Sequence, residues 1–430
     1  MSSPTAAPLE STGARQPHRP ESLALMLGGG GARGAYQAGV LRGIAKRHPH
    51  LRIPILTGIS AGALNTIYLA AHPGLLSTAA ADLVRLWLTL SPDQVYDVKA
   101  RSLGRNVLRW GIRLVSGGHD RGEPTRGMVD TAPLRAFLAR ALPHDADGTF
   151  PGIAKNLERG TLDAVALSAT SYTTGQSVTW VQGRGIELWQ RPQRRSEQAR
   201  LTIDHVLASS ALPMLFPAVR VGSEWFGDGG VRLTAPLSPA LHLGATRILT
   251  IATRYSRTRA EADRPLTDGY PPPAQVLSTL YNAIFLDLVD EDILRLQRIN
   301  RLLEDLPPDG REGMRVIEIL VMRPSIDVGK LAREFEPRLP SMFRYLTRGL
   351  GTRRTASPDI LSLVMFQEDY LQRLVELGEA DADAQQARID AFLAASATAS
   401  SMDALRGGAE AGIADGAGAI RRSAERGDGL

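Results

Sequence analysis

Apolar residues in this chain gather in short runs closed by glycine, and these runs alternate with stretches that repeat at helical spacing. Leu23-Ala24-Leu25-Met26-Leu27 is an unbroken apolar run bounded by glycine, the pattern of a strand buried on both faces. Gly28-Gly29-Gly30-Gly31-Ala32-Arg33-Gly34 follows, and Ala35 to Lys46 then places Ala38, Leu41 and Ala45 at helical spacing. A second apolar run, Ile53 to Thr57, ends at Gly58-Ile59-Ser60-Ala61-Gly62, after which Ala63 to Ala71 again reads as helix. Strand, glycine loop, helix, strand, tight turn, helix: that order predicts an α/β fold, a parallel sheet with helices packed on its faces.

Further on, Thr161 to Thr170 alternates around Val165 and Leu167 and predicts a central strand, with Ser177 to Val181 able to pair beside it. Ile203 to Ser210 predicts a helix with Asp204 in its first turn. Arg247 to Thr253 and Met314 to Met322 predict two more strands, and Ile360 to Leu377 a helix. Residues 1–20 are rich in Ser, Pro, Ala and Arg and read as a flexible leader without the apolar centre of a secretory signal. Residues 379–430 are Ala-, Asp- and Gly-rich and are expected to be weakly ordered. Between these lie a main domain, 21–255, and an extension, 256–378. No apolar run reaches about 18 residues, so no membrane-spanning helix is expected.

Composition narrows the classes of function. Fifty basic against 45 acidic residues leave a net charge of +5, a mild excess that suits an anionic membrane surface at least as well as nucleic acid. Aromatics are only 5% and do not interleave with basic residues, so no nucleic-acid partner is expected. The absence of cysteine excludes disulfides, thiol catalysis and Cys-ligated zinc. No acidic cluster has the spacing of a calcium loop, so neither metal nor other cofactor is expected. The simplest location is the cytoplasm, with visits to the inner membrane surface. Oligomeric state leaves no mark on the sequence.

Three segments carry candidate chemistry. Gly58-Ile59-Ser60-Ala61-Gly62 matches G-x-S-x-G, in which a serine sits on a sharp strand-to-helix turn and the following helix points its positive end at the hydroxyl. An ordinary glycine-rich turn is the plain alternative, since the chain holds 42 glycines. Gly29, Gly31 and Gly34 satisfy G-x-G-x-x-G, the dinucleotide fingerprint, yet no Asp or Glu occurs from Ser22 to Ala81 to hold a ribose. No Lys-Ser or Lys-Thr follows, which removes a Walker loop. Backbone N–H groups aimed at an anion are the remaining use, as the oxyanion of acyl transfer demands, with Arg33 as electrostatic support or as a plain surface arginine.

The general base is the third element. Of eight histidines, His18, His48, His50, His72, His119, His144, His205 and His242, none lies beyond His242, where a Ser-His-Asp hydrolase with this motif has its histidine. His205 and His242 stand in helix-like runs, where a structural role is the plainer reading. A carboxylate can serve instead, and Asp228 in Gly227-Asp228-Gly229-Gly230 is the candidate, against an Asp-Gly hairpin turn.

Together these segments resemble the patatin-like phospholipase family, in its order and at family-like separations. Gly127 to Leu134 and Ala208 to Pro217 also look like that family, and the resemblance covers roughly residues 22–255. It implies a three-layer α/β/α sandwich with a mostly parallel central sheet, plus a mainly helical C-terminal extension. It implies a dyad, with Ser60 as nucleophile and Asp228 as base, and an oxyanion hole from Gly29, Gly30 and Gly31, with Arg33 in support. Gly34, Gly58, Gly62, Gly229 and Gly230 complete the motifs; Asp-Gly-Gly stands where the family often has Asp-Gly-Ala. Fatty acid would leave a phospholipid or other acyl lipid through a serine acyl-enzyme. A non-catalytic lipid-binding protein with a relic site and a nucleotide-binding oxidoreductase remain as alternatives.

Two basic-apolar clusters suggest how lipid is reached. Arg101, Arg105, Arg109 and Arg113 recur every fourth residue, and Arg338 to Arg354 interleaves with Met342, Phe343, Tyr345 and Leu346. Each reads as a peripheral membrane contact or as a solvated helix face.

Overall fold

The computed structural model describes residues 22–96, 127, 129–267, 269–339, 341–355 and 357–394. The proposed leader, the Arg101–Arg113 stripe and the last part of the tail lie outside them. Strand β1 (Leu23–Leu27) is buried throughout because core lies on both of its faces. Leu23, Leu25 and Leu27 enter one hydrophobic cluster, while Ala24 and Met26 enter a second on the opposite face. Strand β2 (Ile55–Ile59) divides in the same way, Leu56 to the first cluster and Ile55 and Ile59 to the second.

The remaining strands are β3 (Ala164–Ser171), β4 (Ser177–Gly183), β5 (Gln190–Arg191), β6 (Arg194–Gln198), β7 (Val219–Val221), β8 (Glu224–Asp228), β9 (Arg247–Ile251) and β10 (Glu318–Met322). They form one sheet in the order β10-β9-β1-β2-β3-β4-β6-β5, with β8 pairing β3 and β7 pairing β8. The run from β10 to β3 is parallel at every step. Beyond it the sheet reverses: β4 and β8 both run antiparallel to β3, so the sheet is mixed. The cause is local. Strands β3 and β4 are separated only by Tyr172–Gln176, with Gly175 at φ 71°, a turn too short for a parallel crossover.

Helix α1 (Gly34–Arg47) follows the glycine loop, α2 (Ala61–Ala71) follows Ser60, and α3 (Leu76–Leu88) packs beside them. The extension contributes strand β10 as well as helices. It also wraps the main domain: helix Glu368–Ala384 lies along α1. A Cβ at Gly39 would overlap the Val375 carbonyl, and one at Gly378 the Tyr36 carbonyl, so glycine permits this close crossing.

Two expectations change here. The helix expected over 360–377 is two helices, Asp359–Val364 and Glu368–Ala384, broken at residues 365–367. The tail expected to loosen from 379 is helical through 394, with Ala382, Ile389 and Phe392 buried. Its Ala- and Asp-rich composition hid a sparse apolar stripe, and Phe392 lies under the Arg247 guanidinium, 4.5 Å from the ring centroid.

Candidate active site

Ser60 joins β2 to α2 at φ 56° and ψ −126°, a left-handed backbone that strains a residue with a side chain by about 1–3 kcal/mol. Its neighbours fix it there. A Cβ at Gly58 would strike Thr66 Oγ1 and the Gly62 backbone, and one at Gly62 would overlap the carbonyls of Leu27 and Gly28. The elbow is thereby pressed against the end of β1. The Ser60 amide donates to Ser209 Oγ at 3.1 Å, and that hydroxyl donates to the Ser168 carbonyl at 2.7 Å. The hydroxyl stands at the positive end of α2, which has no acidic residue in its first turn.

Asp228 ends β8 and is completely buried. Its amide donates to the Ala211 carbonyl at 2.9 Å, and its carbonyl accepts from Thr170 Oγ1 at 2.8 Å. Burial pushes its carboxyl up to about 7, against the downward pull of hydrogen bonding from the Ser60 hydroxyl and the Gly230 amide. Oδ1 accepts from Gly230 at 2.9 Å, whereas Oδ2 has no partner of full hydrogen-bond geometry. Among the described residues no ion pair reaches Asp228. Burial, and then the charge of Asp228, raises the phenols of Tyr172 and Tyr281, the latter to about 12.

The glycine loop lies over the elbow. A Cβ on Gly29 would sit 3.2 Å from Ser60 Cβ, and Thr253 Oγ1 donates to the Gly29 carbonyl at 2.5 Å. Gly30 and Gly31 take φ 156° and 55°, and a Cβ on Gly31 would overlap the Leu363 carbonyl. Among the described residues, the amides of Gly29, Gly30 and Gly31 donate no hydrogen bond within the protein. Arg33 faces the C-terminal extension. It donates to Ser362 Oγ at 2.7 Å, to the carbonyls of Thr253 and Asp359 at 3.4 and 3.3 Å, and to Asp359 Oδ1 at 2.6 Å. Arg33 is therefore no surface arginine: it is buried, and its guanidinium binds Thr253 and the extension.

A buried polar chain behind the loop escaped the sequence reading. Gln37 Nε2 donates to the carbonyls of Gly28 and Ile251 at 2.8 and 3.1 Å. Asn65 Nδ2 donates to the Gly34 carbonyl at 3.0 Å and to Gln37 Oε1 at 2.9 Å, and Trp87 Nε1 donates to Asn65 Oδ1 at 2.7 Å. Loop, elbow helix and α3 are thus tied by satisfied hydrogen bonds inside the core. Asn65 within the apolar run Ala61–Ala71 is the trace it left in the sequence.

His205 and His242 stand apart from this chemistry. His205 Nδ1 accepts from the Thr202 amide at 3.1 Å, closing a capping box, and its ring meets the Trp180 ring edge-on. His242 stacks on Trp189. Burial depresses both to about 4. The two lesser family-like stretches meet each other: the Val129 amide donates to the Leu215 carbonyl at 3.0 Å. Near them a narrow apolar cavity of about 40 Å³ opens beside Ser60, walled by Leu64, Trp87, Leu138, Leu212 and Phe216. In the second basic cluster Arg338 pairs with Asp369 at 2.5 Å, while Tyr345 is exposed.

Several solved structures share distant likeness. VipD from Legionella pneumophila is 14% identical with a TM-score of 0.33, over 83% of this chain and 67% of that one. Human GIVD cytosolic phospholipase A2 is 13% identical with a TM-score of 0.43, over 88% and 60%. The ExoU–SpcU complex of Pseudomonas aeruginosa is 16% identical with a TM-score of 0.27, over 95% and 61%. The chain thus spans about 60–67% of the length of these structures. No curated protein matches it. The family model described as patatin-like phospholipase matches residues 25–241, half of the chain, and on that match the chain belongs to the patatin-like phospholipase family.

Proposed function

We propose that this member of a family of serine lipid acyl-hydrolases cleaves carboxylic ester bonds of phospholipids or related acyl lipids with Ser60 as nucleophile and Asp228 as general base. One observation carries the reading: the Ser60 hydroxyl lies near enough to the fully buried Asp228 carboxylate to lower its raised pKa, short of full hydrogen-bond geometry, close to glycine amides that donate to nothing else among the described residues. The carboxylate takes the hydroxyl proton as Oγ attacks the ester carbon. The amides of Gly29 to Gly31 receive the oxyanion, whose collapse expels the alcohol, and Asp228 returns the proton to it. Water, deprotonated by Asp228, then attacks the acyl carbon; collapse of that intermediate expels Ser60 Oγ, which takes the proton back from Asp228 as the fatty acid leaves. The first carbons of the acyl chain fit the apolar cavity beside Ser60.

Hydrolysis of a short p-nitrophenyl ester by wild type, Ser60→Ala and Asp228→Asn tests this, with circular dichroism to check the fold. Activity lost in both variants supports the dyad. An active Asp228→Asn sinks it, and a wild type that neither hydrolyses the ester nor takes a fluorophosphonate on Ser60 returns the chain to a lipid-binding role.

The rim of the site suits a lipid surface. Met214 is 63% exposed at φ 65°, and Leu280 is 52% exposed on helix Pro273–Phe285, which is tied to the Met214 segment by Tyr281 Oη donating to the Pro213 carbonyl at 2.8 Å. Met214→Asp with Leu280→Glu should weaken sedimentation with anionic liposomes several-fold while soluble-ester turnover stays within about twofold. Unchanged sedimentation removes this rim from the reading.

A further inference from the structure

The family match ends at residue 241, yet the loop that would hold the oxyanion is shaped by residues more than a hundred positions beyond it. Residues 359–364 of the segment 357–366 pack against the glycine loop. The Leu363 carbonyl occupies the place a side chain on Gly31 would take. Asp359 accepts from Arg33 at 2.6 Å and from Asn282 Nδ2 at 2.8 Å, so its two carboxylate oxygens are held from opposite sides. Ser362 accepts from Arg33 Nε and donates back to the Asp359 carbonyl at 2.6 Å. The segment is anchored in turn: the Ile360 amide donates to Ser278 Oγ at 3.1 Å, and the Val364 carbonyl accepts from Tyr96 Oη at 2.6 Å. Phe366 reaches the apolar cavity beside Ser60.

Arg33 is 1% exposed, and Asp359 is its one carboxylate partner among the described residues. A guanidinium so buried does not keep its place once the opposing charge is removed. Arg33 closes the short 3-10 turn Gly31–Arg33, so its displacement carries Gly30 and Gly31 with it. We infer that Asp359 is a positioning residue for acyl transfer, and that the 357–366 segment is a strap that sets the oxyanion amides through Arg33. The extension is thereby part of the catalytic unit. The inference rests on the reading of the glycine loop as the oxyanion hole.

Four measurements on the full chain test it separately from that reading. Hydrogen exchange in peptides covering residues 28–36 should quicken by at least about tenfold in Asp359→Asn, with the sheet elsewhere unchanged. With active sites titrated by a fluorophosphonate, kcat should fall about 30- to 100-fold while KM stays within about twofold, as expected of misplaced oxyanion donors. Binding of a trifluoromethyl ketone, which forms an oxyanion on Ser60, should weaken by the same factor as kcat/KM. Arg33→Gln combined with Asp359→Asn should be no worse than the poorer single variant. Should Asp359→Asn fail to fold, Ser362→Ala takes its place, with an effect of about 3- to 10-fold in the same readouts. Wild-type exchange and ketone binding in whichever variant folds overturn the strap. Exchange that responds in a chain inert to esters overturns the hydrolase reading and leaves the strap standing.

Discussion

Arg33 and Asp228 are both motif charges buried in the core, and the protein treats them in opposite ways. Four hydrogen bonds from the guanidinium are met by the extension and by Thr253. The carboxylate receives one amide, has the serine hydroxyl nearby without full hydrogen-bond geometry, and meets no cation among the described residues. A buried charge with a full set of partners is fixed in place, and its work is geometric. A buried carboxylate left short of partners holds a proton nearly as readily as it releases it near neutral pH, and that indifference is what a base needs. On the proposed reading, the contrast separates scaffold from chemistry more sharply than the motif residues themselves do.

The largest effects should come from the under-partnered side. Ser60→Ala should lower kcat on a soluble ester by about 10⁴-fold or more, and Asp228→Asn by about 10³-fold or more. Equal, small losses in both would erase the contrast. Next comes pH. Asp228 must be ionised to act, so kcat/KM should rise through about 7 and fall about tenfold per unit below it. A limb near 4 would instead mean that the acting carboxyl titrates at its ordinary value, and the contrast would fail.

The third effect is on stability. Asp228 holds its proton more tightly folded, at about 7, than at the ordinary 3.8. A raised carboxyl pKa means the native state loses stability as pH climbs from the unfolded value through the folded one. Asp228→Asn should therefore unfold later than wild type at pH 8, by up to about 4 kcal/mol, and match it near pH 3. Urea melts at the two pH values check this; a variant less stable at pH 8 would show that the carboxylate is better satisfied than its partners suggest.

What could be read in advance was local. Strand, glycine and helix within one stretch define both the loop and the elbow, whereas the glycines around Asp228 read equally as a hairpin turn and only the family resemblance singled it out. The shape of the sheet was less legible, because whether β4 runs parallel or antiparallel depends on the length of a turn. The partners of the site were barely legible. Ser209 and Gln37 are ordinary residues until the chain folds, Asn65 shows only as a polar break in an apolar run, and Asp359 sits 326 positions from the arginine it holds. A hydrogen bond between distant segments leaves no periodicity in either. The helix past 379 was missed for a related reason: its burial comes from α1, not from its own sparse apolar content.

Strand β10 has a last consequence, for anyone shortening the chain. A chain ended at residue 241, where the family match stops, lacks β9 and leaves Leu23–Leu27 as a naked margin of the sheet. One ended at 255 keeps β9 but strips away its β10 neighbour, uncovering Arg247–Ile251. Either margin is a row of unpaired peptide groups on a largely apolar strand, the template on which other chains add and aggregate.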